Sequence, residues 1–371
     1  MSSSFYQDLT SISLQDKIHS DSTCESIFSD SEIELLPLLN AAYQVRKTYH
    51  NNTVQLHMLN NAQNGNCPED CYYCVQAKTA TTDIDTYSLK PESEILAEAE
   101  KAFQSGAYRY CIVMSGRGPS SKRVREMANT IRRVKEHFPI EVCLSVGLID
   151  EPAAHILKDA GLDRLNHNLN TSESHYPNVC TTHSYQDRMD TLHAAQTAGL
   201  ACCSGVIVGM GEKVSDLVRV AKELRQLEVA SIPVNFFLPI EGTQLSEIQS
   251  VEQNGSSILT PDFCLRVLCL FRFLNPRSEI RVAAGREHHL RGMEVMSLYP
   301  ANSMFIDGYL NAEGTAASRT LQMIQDAGFT IETNGKISDI LQDQQVKQNS
   351  VLLKELPLLR PRLDSNNSKL C

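Results

Sequence analysis

Val142-Cys143-Leu144-Ser145-Val146 reads as a β-strand whose two faces differ in chemistry. Successive side chains of a strand point to opposite sides. Val142, Leu144 and Val146 therefore form an apolar face suited to packing helices, and Cys143 and Ser145 share the other. The same parity recurs along the chain. In the run Arg164–Asn170, Asn166, Asn168 and Asn170 line one side, with Leu165, His167 and Leu169 opposite. Arg281 stands opposite Ile280 and Val282. Cys202 shares a face with Val206 and Val208, which puts Cys203 on the reverse.

Eight β-rich runs can be read: Val54–Asn61, Arg109–Ser115, Val142–Leu148, Arg164–Asn170, Cys202–Met210, Pro233–Pro239, Ile280–Ala284 and Ser303–Ile306. Helical patterns fall between them, among them Ser93–Ala102, Arg123–Glu136, Gln186–Ala198 and Ser215–Leu227. Strands alternating with helices predict an α/β fold built on a parallel sheet, and eight of them predict a (β/α)8 TIM-type barrel. A doubly wound open sheet is the alternative. Glu32–Tyr49 reads as a helical cap on the barrel, interrupted near Pro37. Residues 1–38 are expected to be a weakly ordered N-terminal extension, 39–332 the barrel, and 333–371 a polar C-terminal tail, so both ends are expected to be flexible. The interior of such a barrel is normally filled by branched apolar side chains. Here at least four strands direct sulfur or polar groups inward, and departures of that kind mark function.

Composition narrows the classes. With 371 residues, 42% hydrophobic and 21% charged, the chain can bury a sizeable core. A net charge of −10 argues against a nucleic-acid groove or an anionic membrane surface as partner. No apolar run approaches the roughly 20 residues of a membrane helix. The first 30 residues lack an apolar signal core, and Asp8, Asp16 and Glu25 precede the first arginine, Arg46. Neither a secretory signal nor an organelle-targeting segment fits, so a cytoplasmic location is expected. In that setting 12 cysteines point to metal binding or catalysis more than to disulfides.

Three of those cysteines fall within eight residues, Cys67-Pro-Glu-Asp-Cys71-Tyr-Tyr-Cys74. One tight loop with the spacing C-x3-C-x2-C supplies three corners of a four-iron cubane and no fourth. Iron–sulfur clusters are normally closed by four cysteines, so one iron would stay open to a small molecule. A zinc site completed by a histidine such as His50 or His57 is the other reading, since zinc also takes thiolates at short spacing.

The loop is similar to the signature of radical S-adenosylmethionine enzymes, down to the aromatic Tyr73 before the last cysteine. Together with Tyr185-Gln-Asp-Arg188 and Ala284-Gly-Arg-Glu287, it resembles the biotin synthases, over about Leu39 to about Glu332. The resemblance implies a sulfurtransferase that makes biotin from dethiobiotin with S-adenosylmethionine and two iron–sulfur clusters. It implies that Cys67, Cys71 and Cys74 hold a 4Fe-4S cluster, and that Cys111, Cys143, Cys203 and Arg281 hold a 2Fe-2S cluster. It also implies that Tyr73, Asn170, Arg188, Gly205 and Ile207 border S-adenosylmethionine, the last two in a G-x-I-x-G-x-x-E segment ending at Glu212, and that Asn168 and Asn235 bind the ureido ring of dethiobiotin. Asn170 departs from the Asp that some relatives carry there, which leaves the ribose contact uncharged. A flavodoxin- or ferredoxin-type electron donor, cluster-rebuilding proteins and a homodimer follow as expected partners. Other enzymes of the same superfamily, or a non-catalytic metal-binding protein, would share the loop. They would have no use for the second ligand set, nor would the latter need the two asparagines.

Overall fold

The computed structural model describes residues 3–251, 259–306, 308, 310–311 and 317–333. Its strands are β1 (Thr53–Gln63), β2 (Arg109–Met114), β3 (Glu141–Ser145), β4 (Arg164–Asn166) and β5 (Ala201–Cys203). They continue as β6 (Val206–Val208), β7 (Ser231–Phe236), β8 (Glu279–Val282), β9 (Ser303–Ile306) and β10 (Thr330–Glu332). The pairing runs β1-β2-β3-β4-β5-β7-β8-β9, all parallel, and β9 pairs back onto β1 through Gln55–Met58. That last pairing closes the sheet, so the barrel is adopted and the open sheet is not. β5 and β6 are two parts of one stave, both paired to β7.

The strand parity read from the sequence separates two cores. Ile112, Val142, Leu144, Leu165, Cys202, Ile280 and Val282 belong to the large apolar cluster between barrel and helices. Cys111, Cys143, Cys203, Ala283 and Phe305, with Leu59, form a second cluster inside the barrel.

The N-terminal reading needs correction. Residues 3–38 are ordered: α1 (Ser3–Leu14), α2 (Asp21–Ser29) and the start of α3 (Leu35–His50) lie over one end of the barrel, where α1 and α3 pack on α10 (Pro261–Leu274). Leu9, Cys24, Ile27, Ile33 and Leu38 are buried there. Burying a large aliphatic side chain stabilises by roughly 1.5–3 kcal/mol, and several together hold short helices that the Ser-rich composition hides. Ser20 caps α2 by accepting from the Thr23 N–H. α3 is not interrupted, because it starts at Leu35 and Pro37 therefore sits in its first turn, where helical N–H groups have no intrahelical acceptor. The tail expected over 333–371 lies outside the described residues beyond Thr333.

The outer helices comprise α4 (Glu92–Gln104), α5 (Ser121–His137), α6 (Glu151–Asp159), α7 (Tyr185–Thr197) and α8 (Val214–Gln226), followed by α9 (Gln244–Val251), α10, α11 (Arg286–Leu290) and α12 (Ala317–Asp326). α5 shows their logic. Ser120 caps it through the Arg123 N–H, and Val124, Met127, Ala128, Ile131 and Val134 recur at three- and four-residue spacing as its buried stripe.

Several strands end before the sequence pattern does, and two of these breaks serve the site. β4 stops at Asn166, and the chain turns at Asn170, whose φ is +70°. β5 and β6 separate at Gly205, where a Cβ would lie 1.9 Å from the Pro233 carbonyl oxygen. Only glycine permits that approach. Sequence reading also missed β10, which pairs with Thr53–Gln55 ahead of the stretch of β1 that pairs with β2.

Candidate active site and metal centres

The loop after β1 carries Cys67, Cys71 and Cys74 to the end of the barrel where the strands finish, the end at which barrel enzymes build their sites. Cys74 N–H donates to the Cys71 carbonyl at 3.0 Å and Lys78 N–H to the Glu69 carbonyl at 2.9 Å, so the loop is tightly wound. It is also stapled to residues 179–183. Tyr72 N–H donates to the Val179 carbonyl at 2.9 Å. The Asp70 carboxylate accepts the N–H groups of Thr181 and Thr182 at 3.0 and 3.1 Å. Partial burial pushes the Asp70 carboxyl up, but hydrogen bonds from Thr181, Cys180 and Thr182 outweigh it and hold the group well below the usual carboxylate range.

A cavity of about 330 Å³ lies under this loop. Its lining includes all three loop cysteines and Tyr73, Asn168, Asn170, Arg188, Ile207 and Asn235. Gly205 does not line it. That glycine instead donates its N–H to Asn168 Oδ1 at 3.1 Å, fixing the amide from behind. Arg188 sits in the first turn of α7, set by a capping box between Ser184 and Asp187. Its side chain is buried. It donates to the Asn168 carbonyl at 2.6 Å and to the Tyr176 hydroxyl, and its guanidinium lies over the Tyr176 ring. Asn170 donates to the Tyr73 hydroxyl at 2.6 Å. Burial keeps the Tyr73 phenol well above its ordinary value, hence neutral. Asn235 donates to the Val206 carbonyl at 2.9 Å and accepts from Ala284 N–H at 3.2 Å. A primary amide offers two donors and two lone pairs, so one of each remains for a ligand. Glu212 accepts from the N–H groups of Gly209 and Met210, both at 2.7 Å, and so closes the turn after β6.

Below this cavity is a second, of about 30 Å³, bordered by Cys111, Cys143, Arg281, Leu59 and Phe305. Val113, Ser145 and Asn166 line both, so the two spaces adjoin inside the barrel. Cys111 and Cys143 are register partners on β2 and β3. Cys143 shares hydrogen bonds with Cys111 and Cys203. Those bonds raise its own thiol pKa and, with Arg281, lower those of its two neighbours. Arg281 Nη1 is 3.7 Å from Cys203 Sγ, and Asn166 Nδ2 is 3.3 Å from it. Arg281 Nε is buried without a hydrogen-bond partner. Three buried thiols and an arginine with a spare nitrogen form a donor set that fits a small iron–sulfur cluster.

The three loop cysteines fit a multi-iron cluster better than a single ion. Among the described residues, Cys71, Cys180 and His183 form the one group of three whose ligand atoms all lie within 4.8 Å of one another. Cys67, Cys71 and Cys74 are therefore spread too widely to close on one metal. The histidines considered for a zinc site lie elsewhere. His57 is in the barrel floor, 3.0 Å from Glu279, and His50 is half-buried beside Arg272 and Arg46. Sequence reading passed over Cys180 and His183. Their C-x2-H spacing, just before the Tyr185-Gln-Asp-Arg188 motif, was the available signal.

A closed parallel barrel with a three-cysteine loop at its open mouth defines a radical S-adenosylmethionine enzyme. The model of the radical SAM superfamily matches residues 64–224, and that of the biotin and thiamin synthesis associated domain matches 233–330. The chain is 53% identical to a biotin synthase of Magnetococcus marinus over 306 residues, covering 82% of this chain and 93% of the relative. It is 51% identical to a biotin synthase of Acaryochloris marina, covering 82% and 86%. The chain belongs to the biotin synthase family, and its cofactors are S-adenosylmethionine, a 4Fe-4S cluster and a 2Fe-2S cluster. The fold is shared more widely. A methylornithine synthase structure superposes with a TM-score of 0.74 at 18% identity, covering 92% of this chain and 100% of that one. A hydrogenase maturase from Carboxydothermus hydrogenoformans gives 0.73 at 15%, covering 91% and 81%. Among the described residues, no helix is long and apolar enough to cross a membrane.

Proposed function

We propose that this chain inserts sulfur into dethiobiotin to form biotin, and that the adjoining cavities are where it does so. The observation that carries this reading is the shared wall of Val113, Ser145 and Asn166. It sets the two cavities side by side, with the loop cysteines lining one and Cys111, Cys143 and Arg281 the other.

When bound, S-adenosylmethionine and the four-iron cluster supply a 5′-deoxyadenosyl radical that takes hydrogen from unactivated carbon, and the two-iron cluster supplies sulfur. The protein's part is placement and exclusion. Cys67, Cys71 and Cys74 would hold the first cluster. Arg188 pairs with the carboxylate of S-adenosylmethionine, a charge-assisted contact. Tyr73 and Asn170 offer neutral hydrogen bonds to the ribose side, and Ile207 an apolar surface to the adenine. Gly205 acts through Asn168 and the backbone path, so its contact is with the protein. Asn168 and Asn235 present amides to the ureido ring, whose neutral N–H and C=O groups they match in kind. The closed barrel around the lower cavity would keep solvent and other solutes from an alkyl radical.

A flavodoxin or ferredoxin as electron donor, proteins that rebuild the consumed cluster, and a homodimeric assembly complete the proposal. Anaerobic turnover with dethiobiotin, read by mass spectrometry, tests it: biotin and 5′-deoxyadenosine are expected together. Production of 5′-deoxyadenosine alone from a chain carrying both clusters would overturn the substrate assignment.

A further inference from the structure

Cys180 belongs to neither cluster site, yet it faces Cys71. The two Sγ atoms lie 3.8 Å apart. Their backbones are already paired, since Tyr72 N–H donates to the Val179 carbonyl at 2.9 Å. That bond is one of the two that flank a directly opposed, non-hydrogen-bonded pair on antiparallel segments, here Cys71 and Cys180. The Cα atoms of such pairs stand about 4.5 Å apart. A disulfide spans Cα separations of roughly 4.4–6.8 Å. Asp70 Oδ1 fixes the facing segment by accepting the N–H groups of Thr181 and Thr182 at 3.0 and 3.1 Å. Rotation of two side chains therefore suffices to bring sulfur to sulfur.

The two thiols differ in access. Cys71 lines the upper cavity and is partly exposed, whereas Cys180 is 3% exposed and does not line it. A small molecule entering the cavity meets Cys71 first, with Cys180 directly behind. In the resting chain the Cys180 thiol donates to Asp70 Oδ1 at 3.3 Å. His183 stands on its other side. The His183 Nε2 faces Arg188 Nη2 at 3.4 Å, and arginine only donates, so Nδ1 carries the ring proton. That Nδ1 is 3.2 Å from Cys180 Sγ and 2.9 Å from the Tyr176 hydroxyl. A donor placed there steadies the Cys180 sulfur as it attacks.

We propose that Cys71 and Cys180 form a reversible disulfide in the cluster-free chain, with a low-molecular-weight disulfide as the oxidant. Cys71 attacks that disulfide, enters a mixed disulfide and releases one small thiol. Cys180 then attacks the Cys71 sulfur and displaces the second. One S–S bond breaks and one forms. The two cysteines give up two protons and two electrons, which leave on the two small thiols. The new bond occupies Cys71, so the linked chain cannot carry the 4Fe-4S cluster until a dithiol reduces it. That consequence rests on the reading of Cys71 as a cluster ligand; the disulfide itself does not.

The test uses the full chain, freed of iron, reduced, and then exposed anaerobically to glutathione disulfide. Remaining thiols are alkylated and the chain is cut with trypsin. Residues 48–78 should emerge joined to residues 165–188, whose one cysteine is Cys180, and fragmentation should place the link at Cys71. Dithiothreitol should abolish this product. In Cys180→Ser the glutathione adduct on Cys71 should persist instead. That variant keeps Cys67, Cys71 and Cys74, and its 4Fe-4S reconstitution should match wild type, which shows that it is folded. Wild type in which Cys180 stays fully alkylated, with links confined to Cys67, Cys71 and Cys74 or with the adduct left unresolved, would overturn the proposal. Wild type loaded with the 4Fe-4S cluster should form no link for as long as its visible absorbance lasts. A link formed with that absorbance intact would overturn exclusion, and with it the role of Cys71, while leaving the disulfide standing.

Discussion

Arg281 Nη2 donates to Glu279 Oε1 at 2.6 Å, with both side chains buried inside the barrel. Glu279 is the hub of the floor beneath the lower cavity. It also receives Arg109 Nη1 at 2.9 Å, Arg164 Nη1 at 3.0 Å and the Ser303 hydroxyl at 2.7 Å. His57 completes the set. Its Nε2 faces Glu279 Oε1 at 3.0 Å and its Nδ1 faces Arg109 at 3.1 Å, which assigns a neutral ring protonated on Nε2. One carboxylate thus balances several guanidinium groups and aims Arg281 at Cys203.

Glu279→Gln removes that charge and leaves Arg281 uncompensated, while Arg109 keeps its pair with Glu141. Breaking one partner of a buried ion pair costs about 3–5 kcal/mol. Urea unfolding of the cluster-free variant should show a loss of that order, and reconstitution should yield less 2Fe-2S cluster. An unchanged unfolding midpoint would show that the hub contributes nothing.

Cys71→Ala and Cys143→Ala should separate the two centres. The first should abolish formation of 5′-deoxyadenosine. The second should retain some cleavage of S-adenosylmethionine and give no biotin. Chromatography of both products in one quenched reaction distinguishes them, and wild-type levels from both variants would refute the two-site division.

Arg188→Lys keeps the charge and loses the fork that contacts Tyr176 and the Asn168 carbonyl together. A hydrogen bond to a charged group contributes about 1.5–3 kcal/mol, so affinity for S-adenosylmethionine should fall roughly 10–100-fold. Equilibrium binding to the cluster-loaded protein measures it. A variant binding as tightly as wild type would remove Arg188 from the carboxylate site.

Acid should destabilise the fold in two stages. Burial, with nearby cations, lowers His19 to about 4 and His50 to about 3, and holds His57 and His167 well below their ordinary value. These rings stay neutral in the fold while the unfolded chain takes up protons below about pH 6.5. Stability therefore falls as pH drops through that value, by up to about 1.4 kcal/mol per pH unit for each ring. Asp70 and Glu279, depressed in the fold, add their loss only below about pH 4. Urea midpoints at pH 7.5 and 5.5 should differ clearly in the cluster-free protein, and equal midpoints would contradict the buried neutral histidines.

Strand parity made the barrel and its sulfur-lined interior legible, because alternation is a local property that each strand carries in its own residues. Cys143 beside Val142 and Leu144 needed no knowledge of the rest of the chain. The N-terminal helices were hidden, since Leu9, Cys24 and Ile27 find their partners against α3, α8 and α10. The end of β4 was hidden too, because the positive φ of Asn170 arises where its N–H meets the Gly205 carbonyl and its carbonyl meets Ile207 N–H.

The amino-acid order by itself determined the three-cysteine loop, the alternation of strands and helices, and which face of each strand carries sulfur or nitrogen. Covalent spacing and backbone geometry settle those matters within a few residues. Only the tertiary structure decided that Cys180 and His183 stand against Cys71, that Arg109 meets Glu279, and that two cavities share a wall. Such meetings depend on barrel closure, which brings together residues a hundred or more positions apart and whose separation in space no local pattern encodes.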